Sequence, residues 1–238
     1  MKEILLTLLV INQTFAFDQY INLGKFKNDN SIFKQKDIKK LSKKFLNTKY
    51  ISNTLSNIEI NTSKENLIIN FEALDCFTFI DTIEALRISN DLNSFTNSLI
   101  KIRYKDAVVS YHNRNHFFSD WLENNNMKDI TCTLGKCKKQ TKVLNKNFKY
   151  LKEISEVKRD IYYIPANNID MSKLQTGDYI GIYTKLKDLD VTHTGLIVKK
   201  NGLVYLRHAS SKGKIVLDSL LLEYISSKAG IIVYRATD

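Results

Sequence analysis

The chain is poor in the residues that break or divide folds. Among 238 residues there is one proline, Pro165, and only eight glycines. No Pro/Gly/Ser-rich linker separates the sequence into modules, and no internal repeat recurs, which excludes collagen-like and solenoid architectures. Tryptophan occurs once and histidine four times. No long apolar run follows the first sixteen residues, so nothing downstream reads as a membrane span. What the chain does have is an ordinary apolar fraction with 12 Phe and 12 Tyr, enough for one sizeable core.

Lys2, the apolar run Ile4 to Ile11, and Thr14-Phe15-Ala16 have the layout of an export signal cut after Ala16. The expected organisation is a signal over 1–16 and one domain over 17–238, exported to the periplasm or cell envelope. The formal charge of +11 would suit an acidic partner, but lysines such as Lys34 to Lys44 alternate with apolar residues as on outer helix faces. No nucleic-acid motif accompanies them, so nucleic acid is not an expected partner.

Cysteine is scarce too: Cys76, Cys132 and Cys137. In an exported protein thiols tend to pair. Cys132 and Cys137 flank Thr-Leu-Gly-Lys, a loop a disulfide can close; a metal site is the weaker alternative, because no second ligand pair lies nearby. Cys76 is then the odd thiol. It follows Asp75, a good N-cap residue, and opens a segment in which Phe79, Ile80, Ile83 and Leu86 recur at helical spacing. A helix start favours thiolate over thiol, so Cys76 is the candidate nucleophile.

Helices are expected from Ser31 to about Ser56, from Cys76 to about Ile88, and near Leu92 to Ile102, with a short strand at Leu67 to Phe71. The stretch from Tyr104 to Ile164 reads as irregular. After Pro165 come five strand-like segments at 179–184, 194–199, 203–208, 214–218 and 231–235, separated mostly by short turns. The class is α+β with an antiparallel sheet of about five strands. Asn201-Gly202 marks a hairpin with His193 and His208 nearly symmetric about it, which brings the two imidazoles together. One can serve as base to Cys76 and the other can orient it.

The segment LQTGDYIGIYT…VTHTGLIVKKNGLVYLRHASS, with Gly177-Asp178, His193-Thr-Gly195 and His208-Ala209, resembles the C-terminal half of the NlpC-type cell-wall hydrolases. These are papain-like cysteine peptidases and amidases. Asp75-Cys76 matches their Asp-Cys at a helix start. The NRNHFFSDW stretch and the HASS ending resemble a branch linked with N-acetylmuramoyl-L-alanine amidase activity.

The resemblance covers about residues 64 to 235. It implies a papain-like fold, Cys76 as nucleophile, His193 as base and then acid, and His208 as the orienting residue. It also implies an amide of peptidoglycan or a muropeptide as substrate, and neither a metal nor an organic cofactor. The rivals are cleavage between D-glutamate and the diamino acid, a wall-binding module without catalysis, and acyl transfer. Phe77 stands where the family often has serine, which implies a differently shaped pocket. Asp75, Arg114, Asn115 and His116 are the candidate substrate contacts. Arg114 can clamp a carboxylate or pair with Asp120, and His116 can pack beside Phe117 and Trp121. His112 has no assigned role.

Overall fold

The structure is a computed structural model that describes residues 19–55 and 65–237. The expected signal over 1–16 lies outside the described residues. The N-terminal part contains strand β1 (Gln19–Asn22), helices α1 (Ser31–Lys34) and α2 (Ile38–Lys43), and strands β2 (Lys49–Tyr50), β3 (Leu67–Asn70) and β4 (Ala73–Leu74). The single helix expected from Ser31 is therefore two short ones. Gln35 and Asp37 are extended, and the Asp37 carboxylate caps α2 by accepting from the Lys39 and Lys40 amides.

Helix α3 (Cys76–Arg87) follows, then α4 (Leu92–Arg103). Residues Thr78 to Leu86 of α3 are all buried, so this helix is a central rod rather than an amphipathic surface helix. Its polar residues are paired. Asp81 accepts from Arg103 Nε at 3.1 Å and from Trp121 Nε1 at 3.1 Å, and Glu84 accepts from the Tyr179 hydroxyl at 2.7 Å.

Helix α5 (Phe118–Asn124), strand β5 (Met127–Asp129) and the hairpin β6 (Lys138–Leu144) and β7 (Val157–Tyr163) occupy the stretch that reads as irregular in sequence. The disulfide between Cys132 and Cys137 precedes β6, with Cα atoms 5.0 Å apart. Intact mass of protein recovered under oxidising conditions should rise by two hydrogens on reduction; three free thiols in fresh material would contradict the pairing.

The C-terminal part holds β8 (Tyr179–Tyr183), β9 (Val191–Lys200), β10 (Leu203–Ser210), β11 (Ile215–Leu220), the short helix α6 (Leu221–Ile225) and β12 (Gly230–Ala236). The main sheet has eight strands in the order β4-β2-β11-β10-β9-β8-β12-β5. The five expected strands are its contiguous middle. The two-residue strands β2 and β4, paired parallel, and β5 extend the edges and are too short to leave a period-two pattern. One face packs on the helices, with Leu196, Val198, Ile232 and Tyr234 in a core shared with α3. The other buries Ile180, Ile182, Ile197 and Val233 against Leu221 and Ile225 of α6.

The β9–β10 hairpin pairs Lys200 with Leu203 across Asn201-Gly202, whose φ values of 51° and 75° are those of a tight primed turn.

Candidate active site

The site begins at the start of α3. Asp75 Oδ1 accepts from the Phe77 and Thr78 amides at 3.0 and 2.8 Å, and the Thr78 hydroxyl accepts from the Asp75 amide at 2.9 Å. Asp75 Oδ2 accepts from the Thr54 hydroxyl at 2.8 Å. This capping box fixes the chain on both sides of Cys76. Asp75 is thus chiefly a cap, with the carboxylate oxygens already engaged.

Cys76 is the free cysteine of the described residues and is partly exposed. Its thiol is nevertheless pushed up to about 11, first by loss of solvation and then by the Asp75 carboxylate, which outweigh the bonds from Thr194 that favour thiolate. The resting group is a neutral thiol, which reverses the expectation from the helix start alone. Alkylation of Cys76 by iodoacetamide should therefore quicken about tenfold per pH unit between pH 6 and 9, as thiolate accumulates. A rate already flat above pH 5 would show a preformed ion pair instead.

The Thr194 hydroxyl donates to the Cys76 carbonyl at 2.8 Å. That bond ties the residue after His193 to the helix start. His193 Nε2 lies 2.7 Å from His208 Nδ1, the rings nearly perpendicular, and His208 Nε2 lies 3.1 Å from the Ser219 hydroxyl. The pairing of Arg207 with Leu196 sets His208 level with Gly195, so the two histidines meet diagonally rather than directly across. A Cβ on Gly195 would lie 2.8 Å from the Arg207 carbonyl and 3.1 Å from His208 Cβ, so glycine permits this close approach.

Burial holds both imidazoles neutral. His193 is lowered to about 3, first by loss of solvation and then by its proximity to His208 and to the Lys228 charge, and His208 to about 4 by loss of solvation. Both the thiol and the two imidazoles are therefore uncharged at rest.

The polar cluster at Arg114 is arranged differently from the expectation. Arg114 pairs with buried Glu65, Nη2 to Oε1 at 2.8 Å, and also donates to the Leu55 carbonyl. Asp120 instead pairs with Arg159 at 3.0 Å. The Asn115 amide donates to the Ile102 carbonyl at 2.8 Å and accepts from Asn124 at 2.7 Å. His116 Nε2 lies 2.7 Å from the Tyr111 carbonyl, and its ring packs edge-on against Tyr111 rather than beside Trp121. Burial lowers His116 to about 4. These residues still share a cavity of about 310 Å3 with Asp75, Phe77 and Tyr111, beside the cysteine end of α3.

A second cavity, about 690 Å3, is lined by His193, His208, Ser219, Tyr224, Lys212 and Lys228. Tyr224 of α6 sits 5.0 Å from the His208 ring and 6.2 Å from the His193 ring, centroid to centroid. Thr194, Ser219, Tyr224 and Lys228 escape sequence reasoning. Only Ser219 had a usable signal, since the pairing of β11 with β10 sets its register near His208. No group of three or more His, Cys, Asp or Glu side chains among the described residues is placed to hold a metal.

Several solved structures share this fold. An N-acetylmuramoyl-L-alanine amidase from Bacteroides uniformis superposes with a TM-score of 0.72 at 24% identity, covering 86% of this chain and 100% of the other. A Legionella pneumophila protein of the DUF1460 family gives 0.73 at 22% identity, covering 87% and 89%. A Bacteroides fragilis protein provisionally described as a xylanase gives 0.69 at 27%, covering 82% and 98%. No sequence among the curated proteins matches the chain. The family model for AmiA-like, N-acetylmuramoyl-L-alanine amidase-like proteins matches residues 40–231, most of the chain and all of the site described above. By that match the chain belongs to the AmiA-like family of N-acetylmuramoyl-L-alanine amidase-like proteins.

Proposed function

We propose that this protein is a cysteine hydrolase of the papain-like NlpC type. Its substrate in this reading is the amide between the lactyl group of N-acetylmuramic acid and L-alanine, in peptidoglycan or muropeptides. The observation that carries the reading is the chain of polar groups from His193 through His208 to Ser219, tied to the Cys76 helix start by Thr194.

With His193 Nε2 and His208 Nε2 both protonated, each ring donates to the next acceptor along that chain. His193 Nδ1 is left with a lone pair for the thiol proton. Sulfur attacks the carbonyl carbon while that proton passes to His193, and the oxyanion forms at the helix start. There the Phe77 and Thr78 amides are taken by Asp75, which leaves the Cys76 amide as donor. Collapse of the adduct breaks the carbon–nitrogen bond, and His193 returns the proton to the departing amine. Water, deprotonated by His193, then splits the thioester and regenerates the thiol. His208 and Ser219 keep the first imidazole in the working tautomer.

Export to the envelope is part of the same reading, supported by the layout of residues 1–16 and by the disulfide. Mass spectrometry of muropeptides before and after digestion tests it. Free L-alanyl peptides together with peptide-free muramyl sugars are expected. Fragments cut between D-glutamate and the diamino acid would make the protein an endopeptidase, and intact retained muropeptides would make it a binder.

A further inference from the structure

The two cavities differ in the state of their cations. In the cavity beside Phe77 both guanidinium groups are already matched: Arg103 to Asp81 at 3.1 Å and Arg114 to Glu65 at 2.8 Å. With Phe77, Tyr111, Leu55 and Leu151 as neighbours, that space suits an uncharged ring more than an anion. In the cavity beside the histidines, Lys212 and Lys228 are exposed, no acidic side chain lines the space, and neither lysine pairs with a carboxylate among the described residues. Lys228 lies over the Tyr224 ring at 5.8 Å, and its charge reaches His193. The nearest acid to act on the histidines, Asp218, is taken by Arg207 and Lys200.

The proposed hydrolysis adds a constraint. The departing amine receives its proton from His193, so the nitrogen must lie within hydrogen-bond reach of that ring. The chain attached to it therefore starts beside His193. Of the two cavities, His193 lines the basic one.

We infer that the cavity rimmed by Lys212 and Lys228 receives the departing peptide and reads its carboxylates, with Lys228 as the principal contact, while the cavity beside Phe77 holds the uncharged glycan. The inference rests on the hydrolysis proposed above and adds to it a side for each half of the substrate. It also moves carboxylate recognition from Arg114 to Lys228. An unpaired lysine at a cavity rim supplies attraction that a neutral amide on the peptide does not draw on.

The test compares kcat/KM on two muropeptides that differ only at the residue after L-alanine, one with a free carboxylate and one with its carboxamide. The wild-type protein should prefer the acid by roughly fivefold. Lys228→Gln should bring the ratio close to one, and Lys228→Glu should invert it. A change in His193 basicity alone would alter both substrates alike and leave the ratio fixed. Cleavage with no acid preference, or with the wild-type ratio retained in Lys228→Glu, would overturn the inference and leave the proposed hydrolysis standing. Failure of the wild-type protein to cut either muropeptide would refute the hydrolysis itself.

Discussion

Replacing His193 with alanine is expected to cut turnover by roughly a thousandfold or more with little change in the melting midpoint. The reason is the resting state of the cysteine. Its thiol is pushed up to about 11, so near neutrality almost none is ionised without a base to accept the proton. The nearest alternative imidazole is His208, whose Nδ1 already faces His193 and whose Nε2 faces Ser219. Cys76→Ala should be at least as damaging. His208 acts through His193, so His208→Asn, which can still accept a bond from His193 Nε2, should retain more activity than His208→Ala. Equal and complete loss in both His208 variants would mean that an imidazole is required there for proton transfer. Near wild-type turnover in His193→Ala would overturn the assignment of the base.

The second large effect falls on stability. Asp81 and Arg103 form an ion pair in which both side chains are only 3% exposed. Burial raises the Asp81 carboxyl to about 6, against the Arg103 charge that favours its ionised form. Asp81→Ala leaves buried Arg103 with the Ile68 carbonyl but without its paired carboxylate, and removes the acceptor of Trp121 Nε1. Breaking one side of a buried pair costs about 3–5 kcal/mol. The urea midpoint should fall accordingly, with the slope of the transition unchanged. The double variant Asp81→Leu, Arg103→Met should lose less than Asp81→Ala, because no uncompensated charge remains. A loss below about 1 kcal/mol in Asp81→Ala would show that water reaches the pair and that the rod-like burial of α3 is overstated.

The difference between these two cases shows what the sequence could convey. Cys76 at a helix start and the histidine pair were legible because both depend on local signals. One is an Asp cap followed by apolar residues at helical spacing; the other is a turn of Asn-Gly between two β-branched runs. The five middle strands were legible for the same reason. The ion pairs Asp81–Arg103 and Glu65–Arg114 join distant segments, and no periodicity announces them. In helix α3 the helical spacing of Phe79, Ile80, Ile83 and Leu86 marks one apolar face, and it says nothing of Asp81 and Glu84, each of which is buried with a partner. The β6–β7 hairpin was hidden by its lysines. Lys142, in particular, is buried with its ammonium donating to the Leu186 and Leu189 carbonyls. The helix start alone favours a thiolate at Cys76, and the enclosure that reverses the sign is built by segments distant in sequence.

Both the cysteine and the bond are tested at once by rapid acid quench of a muropeptide digest followed by intact-mass and fragment analysis of the protein. The account predicts a transient adduct on Cys76 whose mass is that of the muramyl-lactyl acyl group without peptide, absent from Cys76→Ala. An L-alanyl-glutamyl acyl group on Cys76 would contradict the bond. Undiminished hydrolysis by Cys76→Ala, with no adduct on the wild-type protein, would contradict the cysteine mechanism altogether.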